Sequence, residues 1–175
     1  MSGHVAAPPA DLAVQPAIWL RTLLIVIAVV EGLEGLFKIP LVIERDTVIF
    51  GKGWGSYAVG AELALTLPFA LAALFFLLKG DFRRGIGFVA GIALLRWISL
   101  LPSVVNHPAS FPGAGFSGVV QVLQIMVFPL FMLMVIALVY KNQRLTLAGT
   151  LASLPAVTNW LSILAFGIGV AIYGF

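Results

Sequence analysis

Four charged side chains sit where the surrounding chain is almost wholly apolar: Glu31, Glu34 and Lys38 in one stretch, and Glu62 in the next. Spacings of three and four place Glu31, Glu34 and Lys38 on one face of a helix. Glu62 and Thr66 share a face of the second apolar stretch, Arg96 lies in a third, and Gln121 and Gln124 lie one turn apart in a fourth. A charge in hydrocarbon costs several kcal/mol unless it is paired or hydrated, so such residues mark solute, ion or proton sites. Arg96 is expected to offset one glutamate, with Glu62 the favoured partner because neighbours in sequence tend to be neighbours in space. Lys38 reaches another carboxylate or snorkels outward. At least one carboxyl is then expected to lack a basic partner and to exchange a proton. The candidate ligand- or proton-binding set is Glu31, Glu34, Glu62, Arg96, Gln121 and Gln124. The same pattern has a plainer reading, in which an Arg–Glu pair fixes helix register and the glutamines bond across a bundle.

Other chemistry is poorly supplied. Ser99, Ser103 and His107 recur every fourth residue, but Pro102 is expected to spoil their alignment and no nearby acid orients His107, so no catalytic residue is assigned. His107 has no close ligand partner for a metal, and His4 falls in a terminal tail, which argues against haem held by two histidines. The chain has no cysteine, which excludes thiolate nucleophiles, disulfides and Cys-held metal centres. No metal ligand and no cofactor is expected.

The elements that position these residues follow from composition. Hydrophobic residues make up 61% of the 175, charged residues only 10%, and the mean hydropathy is +1.11. A soluble domain carries charge on roughly a quarter of its residues. The solvent for most of this chain is therefore hydrocarbon, and the fold class is an all-α integral membrane bundle of about five transmembrane helices, with four as the fallback and no soluble domain. Residues 1–16, rich in Ala and Pro, read as a disordered tail, and 17–175 as a single polytopic domain. The spans are placed at about 17–37, 57–78, 85–102, 116–140 and 151–173. The last is the least regular, being interrupted by Pro155 and Asn159, while Pro68 and Pro129 lie inside the second and fourth spans, where kinks are tolerated.

Alternating these spans brings the polar residues to similar depth. Glu62 falls about 8 Å and Arg96 about 9 Å from the same end of the bundle, with Glu31, Glu34, Gln121 and Gln124 in that same half. Arg21, Lys79, Arg83, Arg84, Lys141 and Arg144 collect at the opposite end, against Lys38, Arg45 and Lys52. Positive-inside counting puts the N-terminus in the cytoplasm and the C-terminus outside a cell membrane. The net charge of +3 is scattered among apolar blocks, so nucleic acid is not an expected partner.

Gly87-x-x-x-Gly91 and Gly167-x-x-x-Ala171 read as close-packing surfaces. Arg21, Glu62 and the basic residues ahead of the third span loosely resemble the small four-helix DoxX-like membrane proteins. Those typically lack a fifth span, so no residue role and no activity is carried over. The leading expectation is a small membrane protein that binds or conducts a small solute, ion or proton. The alternative is a non-catalytic subunit of a larger respiratory or redox membrane complex, its polar residues setting register or contacting a quinone. Expected partners are membrane lipids, a small solute or proton, and a second copy or another membrane subunit.

Overall fold

The computed structural model describes residues 17–43, 53–107, 111–112 and 115–174, and among these all regular structure is helical. Helix α1 spans Ile18–Phe37 and the short α2 spans Ile39–Ile43; α3 runs over Trp54–Leu78 and α4 over Phe82–Asn106. The next rod is built of α5 (Gly115–Val122), a π-helical turn (Leu123–Val127) and α6 (Phe128–Tyr140), after which α7 covers Leu145–Tyr173. The expected tail at 1–16, together with Arg45 and Lys52, lies outside the described residues.

Among the described residues four segments are long and apolar enough to cross a membrane: α3, α4, Gly118–Tyr140, and Leu145–Ile172. Each has 23 to 28 residues, enough at about 1.5 Å per residue to traverse a hydrocarbon core of about 30 Å. The chain is an all-α membrane bundle, and this count equals the fallback number. The long helix outside the set is α1, whose 20 residues include Arg21, Glu31 and Glu34. The last span is not the irregular one: α7 continues through Pro155 and Asn159, and begins a turn and a half earlier than expected. Helix α4 likewise runs through Pro102 to Asn106.

Helix α1 shows how the sequence chooses its inner face. Its buried residues are Leu20, Leu24, Ile27, Ala28, Glu31 and Gly35, a stripe at spacings of three and four. Leu20, Leu24, Ile27 and Ala28 pack with Ala73 and Leu77 of α3, Ile86, Val89 and Ala90 of α4, Met132 and Val135 of α6, and Ala148, Ala152 and Ala156 of α7. Glu31 belongs to this stripe, which is why it is buried although it is charged. The outward face is apolar too, with Val26, Val29, Leu130, Leu133, Leu161 and Phe166 exposed. Such a helix set cannot face water on either side.

Small residues set how closely the helices approach. A Cβ on Gly35 would lie 2.9 Å from the Leu67 backbone nitrogen, so α1 meets α3 backbone to backbone at this point. Gly91 does pack closely, against the Phe69 ring, where a Cβ would come within 2.8 Å, whereas a Cβ on Gly87 would make an ordinary 3.8 Å contact with Val139. A Cβ on Gly167 would meet nothing within 4 Å, so the expected Gly167–Ala171 packing surface has no counterpart within the described chain.

One end of the bundle is rich in cations. Arg21 donates to the Leu78 carbonyl at 3.4 Å and Arg83 to the Tyr140 carbonyl at 3.0 Å, each cation capping the C-terminus of a neighbouring helix. Arg21, Lys79 and Arg84 also lie over the rings of Phe82, Phe75 and Phe76. This end therefore gathers the six basic residues counted together from sequence.

The π-helical turn has an identifiable cause. In an α-helix the N–H of residue 129 would bond the Ile125 carbonyl, but position 129 is proline and has no donor. The indole Nε1 of Trp97, on α4, donates to that carbonyl at 3.0 Å. A side chain from one helix thus satisfies the acceptor that a proline in the next leaves open.

Candidate functional site

Five charged side chains from three helices form one ladder. Arg96 on α4 meets Glu31 on α1 through two contacts, Nη1 to Oε1 at 3.1 Å and Nη2 to Oε2 at 2.9 Å. The same Nη2 donates to Glu34 Oε2 at 2.9 Å. Glu34 Oε1 then lies 2.8 Å from Lys38 Nζ, which also donates to Glu62 Oε1 on α3 at 2.8 Å. The order is acid, base, acid, base, acid.

Local structure explains each position. Glu31 and Glu34 follow from the α1 periodicity, while Lys38 is the C-cap residue of that helix, one turn beyond Glu34 and on the same side. Gly35 brings α1 close enough to α3 for the Lys38 stem to reach Glu62. Thr66, one turn along α3, donates its hydroxyl to the Glu62 carbonyl at 2.6 Å instead of to the carboxylate. Arg96 uses its planar fork on Glu31 and its remaining reach on Glu34, a geometry that a lysine could not reproduce.

Burial is graded along the ladder. The Glu31 side chain is 3% exposed and that of Glu62 9%, while Glu34 is 38% exposed and its two cations 20% each. Glu34 is thus the rung nearest the surroundings. Two expectations from sequence are corrected here. Arg96 pairs with Glu31 and Glu34, not with Glu62, whose partner is Lys38. No carboxyl of the three is left without a base, because Arg96 and Lys38 each bridge two carboxylates. What survives is the charge count: with every group ionised, three acids and two bases leave the ladder one negative charge in excess.

Beside the Arg96–Glu31 contact lies a cavity of about 30 Å³, walled otherwise by Ile27, Val89, Ile92, Phe128, Pro155 and Gln124 among others. That volume holds one or two waters. Gln124 lines this cavity with Glu31 and Arg96. Gln121, one turn earlier, lines a different and wider cavity of about 380 Å³ with Ser103 and His107. Gln124 lines that cavity too, so the two glutamines share it, and of the pair Gln124 lines the cavity beside the charges.

The serine series does not assemble. Although α4 is unbroken at Pro102, Ser99 and Ser103 donate to the carbonyls of Arg96 and Leu100 on their own helix. Among the described residues no three His, Cys, Asp or Glu side chains form a metal-ligating group. Within the ladder, a base stands between successive carboxylates, where a bound cation would need open oxygens.

Sequence reading passed over Trp97, next to Arg96, and the close approach at Gly35. The signal for Trp97 was available in the pairing of a span proline with an indole in the preceding helix. Compared with protein-family models, curated proteins and solved structures, the chain matches none.

Proposed function

We propose that this chain is a small polytopic membrane protein that binds a proton at the Glu31–Arg96–Glu34–Lys38–Glu62 ladder. The observation that carries the reading is the odd carboxylate: three acids bridged by two bases, next to a water-sized cavity. One proton brings the ladder to neutrality, and an uncompensated charge in a low-dielectric bundle is costly enough to favour its uptake. The cavity beside Glu31 and Arg96 has the volume of a water, which suits a proton or a water-sized ion. The bases standing between carboxylates argue for the proton over a metal cation. Proton uptake at shared rungs would couple site occupancy to the packing of α1 on α3 and α4. By positive-inside counting, the end bearing Arg21, Arg83 and Lys141 faces the cytoplasm and the ladder lies in the outer half.

Carboxyl-stretch infrared difference spectra of the purified chain, taken between about pH 5 and 8, test this. Native protein is compared with Glu31→Gln, Glu34→Gln and Glu62→Gln. A protonated-carboxyl band that titrates and disappears in one variant is the expected result.

A second reading, a scaffold or subunit whose ladder only locks helix register, is favoured by one specific observation. Among the described residues no buried side-chain nitrogen or oxygen lacks a hydrogen-bond partner, as a purely structural network requires. Absence of any titrating carboxyl band would put this reading first.

A further inference from the structure

Two cavities meet at Gln124. The inner one has Glu31 and Arg96 on its polar wall and a volume of about 30 Å³. The outer one, about 380 Å³, is lined by Ser103, Val104, His107, Phe111 and Gln121. Leu100 and Gln124 line both. Of these two, only Gln124 has a side chain that hydrogen-bonds, and an amide both donates and accepts.

The backbone explains why this glutamine stands between the cavities. Gln124 is the second residue of the π-helical turn Leu123–Val127, where the helix is wound more widely than its neighbours. The turn is pinned by the Trp97 indole on the Ile125 carbonyl, so the position of the amide is tied to the helix that carries Arg96. In a regular α-helix from Gly115 to Tyr140 the phase of residues beyond the turn would differ.

We infer that protons reach Glu31 from the outer cavity through water held at Gln124, an inference that rests on the proton-binding reading above. A proton leaves a hydronium in the outer cavity, passes to the water at Gln124 and the inner-cavity water, and ends on the Glu31 carboxylate. Each water regains the proton that it gives, so only O–H bonds form and break. The charged and titratable groups facing Glu31 are Arg96 from α4, Glu34 and Lys38 from its own helix, and Glu62 of α3 through Lys38. The α5–α6 rod presents Gln124 and Phe128, and α7 presents Ala152, Pro155 and Ala156; His107 is the titratable group of the outer cavity.

The test uses the full chain in lipid nanodiscs and follows the deuterium shift of the protonated-carboxyl band after transfer to D2O. Gln124→Leu removes the amide, and Ser103→Trp fills the outer cavity from an exposed position without touching the ladder. Exchange then waits for local opening of the bundle, and each variant is expected to slow it roughly tenfold or more. The rate comes from the time course, so it does not depend on band amplitude. Rates within about twofold of native in both variants, with the band still present, would overturn the route and leave proton binding standing. A native chain with no such band would remove both.

Discussion

Arg96 and Glu31 face each other through two parallel N–H···O contacts, 3.1 and 2.9 Å long, although 65 residues separate them in the chain. Removing Arg96 leaves the Glu31 carboxylate buried without its fork. Arg96→Leu is expected to destabilise the bundle by about 3–5 kcal/mol in detergent unfolding. Adding Glu31→Gln recovers much of that loss, and more than adding Glu62→Gln does, because Arg96 bonds Glu31 directly and is linked to Glu62 only through Glu34 and Lys38. Recovery by Glu62→Gln in place of Glu31→Gln would refute the pairing described here.

Gly35 allows α1 to touch the α3 backbone at Leu67. Gly35→Val is expected to cost about 1–3 kcal/mol by forcing the helices apart, and to weaken the Lys38–Glu62 contact with it. Gly167→Val, where no neighbouring atom stands within 4 Å, is expected to stay within about 0.5 kcal/mol of native. Unfolding of the two variants in the same detergent decides the matter; equal costs would remove any special role for the α1–α3 approach.

The Trp97–Ile125 bond predicts a rescue. Trp97→Phe keeps most of the ring but leaves the Ile125 carbonyl without its donor, at an expected cost of about 1–3 kcal/mol. Pro129→Ala restores a backbone N–H in the same helix, so the double variant should lose less than Trp97→Phe alone. A double variant as unstable as the sum of the two singles would show that the indole stabilises by packing and not by this bond.

Topology is checked by impermeant thiol labelling, which the cysteine-free chain permits. Ser103→Cys, near the ladder end, is expected to label in intact cells, and Gln143→Cys, beside Lys141 and Arg144, only after permeabilisation. The opposite pattern would reverse the orientation.

The sequence by itself determined the solvent, the helical class and which residues carry charge inside the bundle. Apolar runs too long and too continuous for water leave a membrane bundle as the only economical fold, and spacings of three and four put Glu31, Glu34 and Lys38 on one side of α1 whatever the tertiary arrangement. The grouping of Arg21, Arg83 and Lys141 at one end likewise follows from counting alternating spans. Partner choice was another matter. Arg96 is nearer in sequence to Glu62 than to Glu31, and only the close approach at Gly35, the α4 crossing at Gly91 and the fixed lengths of the side chains decide that Lys38 takes Glu62 while Arg96 takes Glu31 and Glu34. The place of Gln124 in the cavity beside Glu31 and Arg96 was equally hidden, because it sits in a π-helical turn bound to another element through Trp97. Periodicity is a property of one helix at a time; contacts between helices depend on distances of a few ångströms, which residue spacing along the chain does not encode.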